Sequence, residues 1–127
     1  MQMKKTILTK DAPAPIGPYS QAVESNGTLY ISGQIPMDPY SGEIISGDIK
    51  EETKQVMKNI SAILETANMK MSDIDKCSIF ISDMNDFQDI NEIYGAYFNE
   101  NPPARETVEV ARLPKDVRVE ISAIASK

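Results

Sequence analysis

The chain has 127 residues, of which 41% are hydrophobic and 25% charged, and this length predicts one domain spanning residues 1–127. Its 13 basic and 19 acidic side chains give a net charge of −6, which disfavours binding to the phosphate backbone of nucleic acids. The sequence contains no histidine and one cysteine, Cys77, so it excludes histidine-dependent nucleophiles, histidine-ligated zinc and an internal disulfide.

The beginning of the chain does not have the pattern of a secretory signal. Within residues 1–10, only Ile7 and Leu8 are adjacent large aliphatic residues, which is too short for the apolar region of a signal peptide. No stretch approaches the ~20 apolar residues that cross a bilayer. We therefore expect a soluble cytoplasmic protein that binds no membrane.

The first third of the sequence predicts three strands and one irregular loop. Residues 4–8 are expected to form a short strand, and three prolines with Gly17 keep residues 11–19 irregular. Residues 22–24 and 28–32 predict a hairpin, because Asn26-Gly27 between them tolerates the positive φ of a tight turn. Gly33 then ends the second strand of this hairpin or introduces a bulge.

Two amphipathic helices alternate with three further strands in the rest of the chain. Asp48 and Glu51 have the spacing of a capping box, and the apolar residues after it recur at helical spacing: Ile49, Val56, Ile60, Ile63, Leu64 and Ala67. Residues 76–82 predict a strand, residues 83–86 a turn, and residues 87–97 a second helix that ends before Asn101-Pro102-Pro103. The last two strands are expected at residues 105–110 and 117–125, with a turn at Leu113-Pro114 between them.

This order of elements predicts an α+β fold, a six-stranded mixed sheet with two helices packed on one face. The strand, helix and strand within residues 76–110 should form a right-handed unit whose strands are parallel. In the final strand, Val119, Ile121 and Ala123 alternate with Glu120 and Ser122, so one side of it is apolar and the other largely polar. We expect the uncovered face of the sheet to be buried against another subunit.

Arg105 and Glu120 are the candidate catalytic residues. A guanidinium binds a planar carboxylate through two hydrogen bonds, and a carboxylate can orient or deprotonate water, so this pair suits a small anionic substrate. A hairpin pairing Val110 with Val117 would place Arg105 diagonally near Glu120 on the same face. The alternative is an ordinary surface ion pair, which contributes less than ~1 kcal/mol. Cys77 lies in an apolar run, which favours a buried, inert thiol.

Several long motifs in this sequence resemble those of the RidA (reactive intermediate deaminase, YjgF-type) family. They are Ala14-Pro15-Ile16-Gly17-Pro18-Tyr19-Ser20-Gln21-Ala22, Ser32-Gly33-Gln34-Ile35-Pro36, Gly47-Asp48-Ile49, Pro103-Ala104-Arg105, Val108-Glu109-Val110-Ala111-Arg112-Leu113-Pro114 and Val119-Glu120-Ile121. The resemblance covers nearly the whole chain. It implies a chorismate-mutase-like fold assembled as a homotrimeric barrel with clefts between subunits, in which the last two strands need not be neighbours.

The resemblance also implies an activity, the hydrolysis of 2-imino acids or their enamine tautomers to 2-keto acids and ammonia, with no cofactor and no metal. Substrates of this class are 2-iminobutanoate and 2-iminopropanoate. Carried over by motif position, Arg105 would bind the substrate carboxylate and Glu120 would activate the attacking water. Tyr19, Ser32 and Gly33 would line the pocket, Asn91 would brace the neighbouring loop, and the backbone of Thr107 would bind the imine nitrogen or its water. Many relatives have cysteine where this chain has Thr107.

Two other functions are alternatives to imine hydrolysis. A regulator could bind a 2-keto acid in the same cleft without turnover, and loss of Glu120 would then leave binding intact. RNA cleavage, proposed for some relatives, is disfavoured by the net charge of −6 and the absence of histidine. We expect partners to be a small 2-imino or 2-keto acid and two further copies of the chain, with no nucleic acid.

Overall fold

The structure is a computed structural model that describes residues 4–127. Its strands are β1 (Lys5–Ile7), β2 (Ala22–Ser25), β3 (Thr28–Gln34), β4 (Ile74–Ile81), β5 (Ala104–Glu109) and β6 (Val119–Ser126). Its helices are α1 (Ile49–Thr66) and α2 (Phe87–Gly95), and short 3₁₀ turns occupy Met71–Asp73, Met84–Asp86 and Pro114–Asp116. The predicted order of strands and helices is therefore confirmed, and α2 is shorter than expected because it ends at Gly95.

All six strands form one mixed sheet in the order β1-β2-β3-β6-β4-β5. β4 and β5 are parallel, as predicted for a strand, helix and strand unit, and the other neighbouring pairs are antiparallel. The expected hairpin between the last two strands is wrong, because β6 lies between β3 and β4 and makes no pair with β5. A strand at the centre of the sheet has both backbone edges hydrogen-bonded, which a terminal hairpin would not provide.

The main core lies between the sheet and the two helices. The predicted apolar face of α1 is buried, with Val56, Ile60, Ile63 and Leu64 each 0% exposed. The apolar face of α1 packs against Ile79 and Ile81 of β4 and against every second residue of β6. Burial of this kind contributes roughly 25 cal/mol per Å² of apolar surface, so this core stabilises the packing of the helices on the sheet.

Local hydrogen bonds explain where two of the elements begin. Asn26 (φ 52°) and Gly27 (φ 81°) adopt the left-handed conformation that closes the β2–β3 hairpin, as predicted. The Asp48 side chain accepts a hydrogen bond of 2.9 Å from the Glu51 N–H and thereby caps α1. The Glu51 side chain approaches Lys54 Nζ at 3.7 Å, so it forms an ion pair on the outside of the helix.

Both helices pack on the same face of the sheet, and the opposite face stays largely open. The open face carries Tyr30 (49% exposed) and Val108 (40% exposed) among serine and charged side chains. A smaller apolar cluster covers one end of it and consists of Ile35, Met37, Leu113 and Val117, with Phe80 packed against them. Across residues 4–127, neither helix combines the length and the apolar run that crossing a bilayer requires.

Candidate active site

Glu120 lies in an open pocket of about 350 Å³ on the open face of the sheet. We call this the Glu120 pocket; it is lined by Ile16, Tyr19, Ser32, Gly33, Ile35, Pro114 and Glu120. No hydrogen bond to the Glu120 carboxylate forms within residues 4–127. Burial raises the pKa of this carboxyl group above its ordinary value of 4.5, because the charged form loses hydration. The Glu120 carboxylate is therefore a better proton acceptor than an exposed glutamate.

Gly33 provides the space that the Glu120 carboxylate occupies. The pairing of β3 with β6 shifts register between Ile31 and Gln34, so Gly33 lies in an irregular stretch within β3. Of the two predicted alternatives, the strand does not end at Gly33, and the shift in register fits a bulge. A Cβ atom at Gly33 would lie 2.8 Å from Glu120 Cδ, which is closer than real carbon pairs approach. Any side chain at this position would therefore displace the carboxylate.

The proline-rich loop over the pocket is held by a buried glutamine that sequence reasoning missed as an organising residue. Gln21 is 1% exposed, and its amide nitrogen donates to the carbonyls of Thr9, Ala12 and Pro13 at 3.0, 3.2 and 2.9 Å. Its side-chain oxygen accepts from the Thr9 N–H at 2.7 Å. These bonds give an irregular segment one conformation, since each replaces a hydrogen bond that regular structure would supply.

Tyr19 and Ser32 reach the Glu120 pocket from that loop and from β3. The Ile16 N–H donates to the Tyr19 hydroxyl at 3.2 Å, and the Tyr19 N–H donates to the Gly17 carbonyl at 2.9 Å. The Ser32 hydroxyl donates to the Ser20 carbonyl at 2.6 Å. The structure thus places Tyr19, Ser32, Gly33 and Glu120, four of the residues predicted from the sequence, in one pocket.

Arg105 lies on the other face of the sheet, beside α2. Its Nη1 donates a hydrogen bond of 2.7 Å to Asn91 Oδ1, so the contact that the structure gives Asn91 is with the guanidinium, where the prediction had a neighbouring loop. The guanidinium carbon lies 5.7 Å from the centre of the Phe87 ring and 5.1 Å from that of Tyr94. Within residues 4–127 no carboxylate pairs with Arg105, so its positive charge is available to an anion.

Thr107 is next to Arg105 on the free edge of the sheet. The N–H of Val110, which directly follows β5, donates to the Ile81 carbonyl at 2.8 Å, so the backbone of Val110 points toward β4. Because backbone groups alternate in direction along a strand, the N–H and C=O of Arg105 and Thr107 point away from β4. The Thr107 hydroxyl is buried and has no hydrogen-bond partner in the part of the chain that the structure describes.

Arg105 and Glu120 do not meet within one chain, and the expectation that they share a face is wrong. Cys77 pairs with Arg105, and Phe80 pairs with Glu120. Cys77 and Phe80 are three residues apart on one strand, so their side chains point to opposite faces. Two strand spacings and three residue rises separate the two Cα atoms by about 14 Å. One chain therefore does not bring both side chains to the same small substrate.

The Cys77 thiol and the acidic side chains are weaker candidates for catalysis or metal binding. Cys77 is 0% exposed, as predicted, and burial raises the pKa of its thiol, which disfavours the reactive thiolate. Within the described range, no three Asp, Glu or Cys side chains cluster as metal ligands do.

Phe87 and Tyr94 lie within the second helix predicted over residues 87–97, but their contact with Arg105 was not predicted from the sequence. The signal that could have revealed it is the spacing of Phe87, Asn91 and Tyr94, at i, i+4 and i+7, which places all three on one side of a helix.

Comparison with known proteins gives consistent matches over the whole length. The model of the Endoribonuclease L-PSP family matches residues 9–127. The chain is 56% identical over 125 residues to a RutC family protein of Pyrococcus horikoshii, covering 98% of this chain and 99% of that protein. It is 49% identical over 123 residues to the 2-iminobutanoate/2-iminopropanoate deaminase of Homo sapiens, covering 97% and 90%. A solved Rid family structure from Yersinia pestis matches with a TM-score of 0.96 at 48% identity, covering 98% and 100%.

Proposed function

The chain belongs to the Endoribonuclease L-PSP family, to which the RidA proteins belong, and on this premise we propose that it hydrolyses reactive 2-imino acids to 2-keto acids and ammonia. The substrate class is 2-iminobutanoate, 2-iminopropanoate and their enamine tautomers. The human relative that is 49% identical has the name of this deaminase, whereas the archaeal relative that is 56% identical is named only as a RutC family protein.

The proposed reaction consumes one water and needs no cofactor. Water adds to the carbon of the protonated C=N bond, the π electrons move to nitrogen, and a proton leaves the attacking oxygen. Nitrogen takes up that proton and departs as ammonia while the remaining hydroxyl oxygen forms the keto group and releases its proton, which ammonia accepts to become ammonium. An iminium carbon is already strongly electrophilic, so the protein has to fix geometry and supply a water at the correct position.

Arg105 would bind the substrate carboxylate. Its guanidinium has five N–H donors, of which one is used by Asn91, and it carries an unneutralised charge in a protein of net charge −6. The outward backbone groups of Thr107 lie at the same edge and would hydrogen-bond the imine nitrogen or the attacking water. These features support binding of a small 2-imino acid at two places, its carboxylate and its imine nitrogen or the attacking water.

Glu120 of a neighbouring copy would accept the proton of the attacking water and return it to the departing nitrogen. Its raised pKa supports both transfers, since a group that titrates nearer to neutral pH both accepts and donates readily. Tyr19, Ser32 and Gly33 would line the same side of the cleft. The apolar side chains of Ile16 and Ile35 would exclude bulk water from the reacting carbon.

The active unit is proposed to be a homotrimer of the chorismate-mutase-like type, with the open sheet faces inside and the helices outside. The single observation that carries the proposal is the placement of an unpaired arginine and a half-buried glutamate on opposite faces of one sheet, because only an assembly can join them. The open face and the free edge of β5 provide the surfaces that such an assembly would bury.

A coupled assay tests the activity. A threonine dehydratase generates 2-iminobutanoate from threonine, and the appearance of 2-ketobutanoate is followed with and without the protein. The wild-type protein should accelerate the appearance of 2-ketobutanoate. Semicarbazide traps the imine, so less of the trapped imine should form when the protein is present. Arg105→Ala should lower the acceleration by about 100-fold through loss of a charged hydrogen-bonded contact. The matched control is Arg112→Ala, since Arg112 is an exposed partner of Asp116.

The same assay separates the deaminase from a binding regulator. Glu120→Gln should keep affinity for 2-ketobutanoate in calorimetry and lose turnover by about 100-fold or more, with the exposed Glu43→Gln as control. A wild type that binds the keto acid without accelerating imine hydrolysis would contradict the proposed activity.

A further inference from the structure

We propose that Phe87 and Tyr94 are positioning residues that hold the Arg105 guanidinium in the plane required for carboxylate binding. This role rests on the proposed function, because it assigns Arg105 to an anionic substrate. It concerns residues that do not themselves touch the substrate, and it predicts effects on affinity and not on the chemical step.

The two rings approach Arg105 from one side of α2. Phe87, Asn91 and Tyr94 are spaced at i, i+4 and i+7, and each contacts the guanidinium, the rings at 5.7 and 5.1 Å and the amide at 2.7 Å. Both ring distances lie within the ~6 Å over which a cation is attracted to an aromatic face. A single helical stripe therefore contacts one arginine at three points.

The contacts are of a kind that leaves the arginine free to bind. Aromatic faces attract the guanidinium without using any of its N–H donors, and Asn91 is neutral, so it leaves the charge intact. An aspartate at position 91 would pair with Arg105 and compete with a substrate carboxylate. Fixing a long arginine side chain in one conformation costs entropy. The two rings hold the Arg105 side chain in place, as an acidic partner otherwise would.

Tyr94 is itself fixed by the core. It is 5% exposed, and its ring lies 4.8 Å from that of Phe98. Its buried hydroxyl lies beside the Cys77 thiol, and the hydrogen bond that the structure gives Arg105 goes to Asn91. The ring and not the hydroxyl is therefore the part of Tyr94 that acts on Arg105, and this distinction separates a positioning role from a polar one.

Binding of 2-ketobutanoate by calorimetry, together with KM and kcat from the coupled assay, tests the proposal. Tyr94→Leu and Phe87→Leu should each weaken keto-acid binding and raise KM by about 3- to 30-fold, with kcat changed by less than about twofold. Tyr94→Phe, the conservative variant, should restore the affinity that Tyr94→Leu loses. Tyr97→Leu is the control, since it removes a partly buried aromatic ring just beyond α2 that makes no contact with Arg105.

Thermal unfolding and molecular mass are measured on every variant, so that a loss of affinity is compared between folded assemblies. If both leucine variants keep wild-type affinity and KM, or if Tyr94→Phe loses as much as Tyr94→Leu, the positioning role is overturned. A third outcome is a wild type that binds 2-ketobutanoate without turnover, with leucine variants that lose this binding. That result would support the positioning role and contradict the deaminase. A wild type that accelerates imine hydrolysis, with both leucine variants equal to it in KM, overturns the positioning role and leaves the deaminase standing.

Discussion

Co-assembly of two inactive variants, Arg105→Ala and Glu120→Gln, is expected to restore activity. Within one chain the two side chains point to opposite faces of the sheet, and their Cα atoms are separated by about 14 Å. A small 2-imino acid spans far less than that distance and cannot pass through the sheet. The proposed site would therefore combine Arg105 of one copy with Glu120 of another copy.

The size of the recovery follows from this geometry. When the two variants assemble at random in equal amounts, a site works only if its arginine comes from the Glu120→Gln chain and its glutamate from the Arg105→Ala chain. Each condition is met in about half of the cases, so about one quarter of the sites should be active. Mixed assemblies selected by two affinity tags should have about one third of wild-type activity if they are trimers and about one half if they are dimers.

The assay is the coupled imine hydrolysis, measured on each variant alone, on the two proteins mixed after separate assembly, and on the co-expressed, doubly tagged complex. Recovery should appear only in the last sample, because it requires exchange of subunits. Co-assembled material as inactive as either parent, with its mixed composition verified by mass, would refute a site shared between copies.

Three further outcomes are expected. Burial raises the pKa of Glu120, so ionisation of its carboxyl group lowers the free energy of unfolding as pH rises through this raised pKa. Glu120→Gln should therefore unfold at a higher temperature than wild type at pH 7. The two unfolding temperatures should converge below pH 4.5, the ordinary pKa of the group. Gly33→Ala should lower kcat/KM by about 10- to 100-fold, because its Cβ displaces the carboxylate, whereas Gly95→Ala, with open space around it, should leave activity unchanged. Gln21→Leu should cost about 2–4 kcal/mol in urea unfolding, since three backbone carbonyls lose their donor; a loss below 1 kcal/mol would contradict this role for the loop.

Local structure was largely predictable from the sequence because it depends on neighbouring residues. The spacing of apolar residues after Asp48 predicts α1, and Asn26-Gly27 predicts the hairpin turn, since both depend on backbone preferences within a few positions. The alternation in the final strand also identifies its buried face. The motifs around Arg105 and Glu120 indicated the family, which the comparisons confirm.

The order of strands was decided only by tertiary structure. Neighbouring strands in sequence form a hairpin by default, but β6 lies between β3 and β4, where both of its edges are hydrogen-bonded and its apolar face is covered by α1. No local pattern encodes this placement, because it depends on contacts between residues far apart in the chain. The same placement separates Arg105 from Glu120.

The sequence by itself therefore determined the elements, the buried faces and the identity of the chemically capable residues. Tertiary structure decided which of those residues meet: Tyr19, Ser32, Gly33 and Glu120 on one face, and Arg105 with α2 on the other. The physical reason is that side-chain direction in a strand alternates with each residue, whereas the neighbour of a strand is chosen by burial and backbone pairing across the whole sheet.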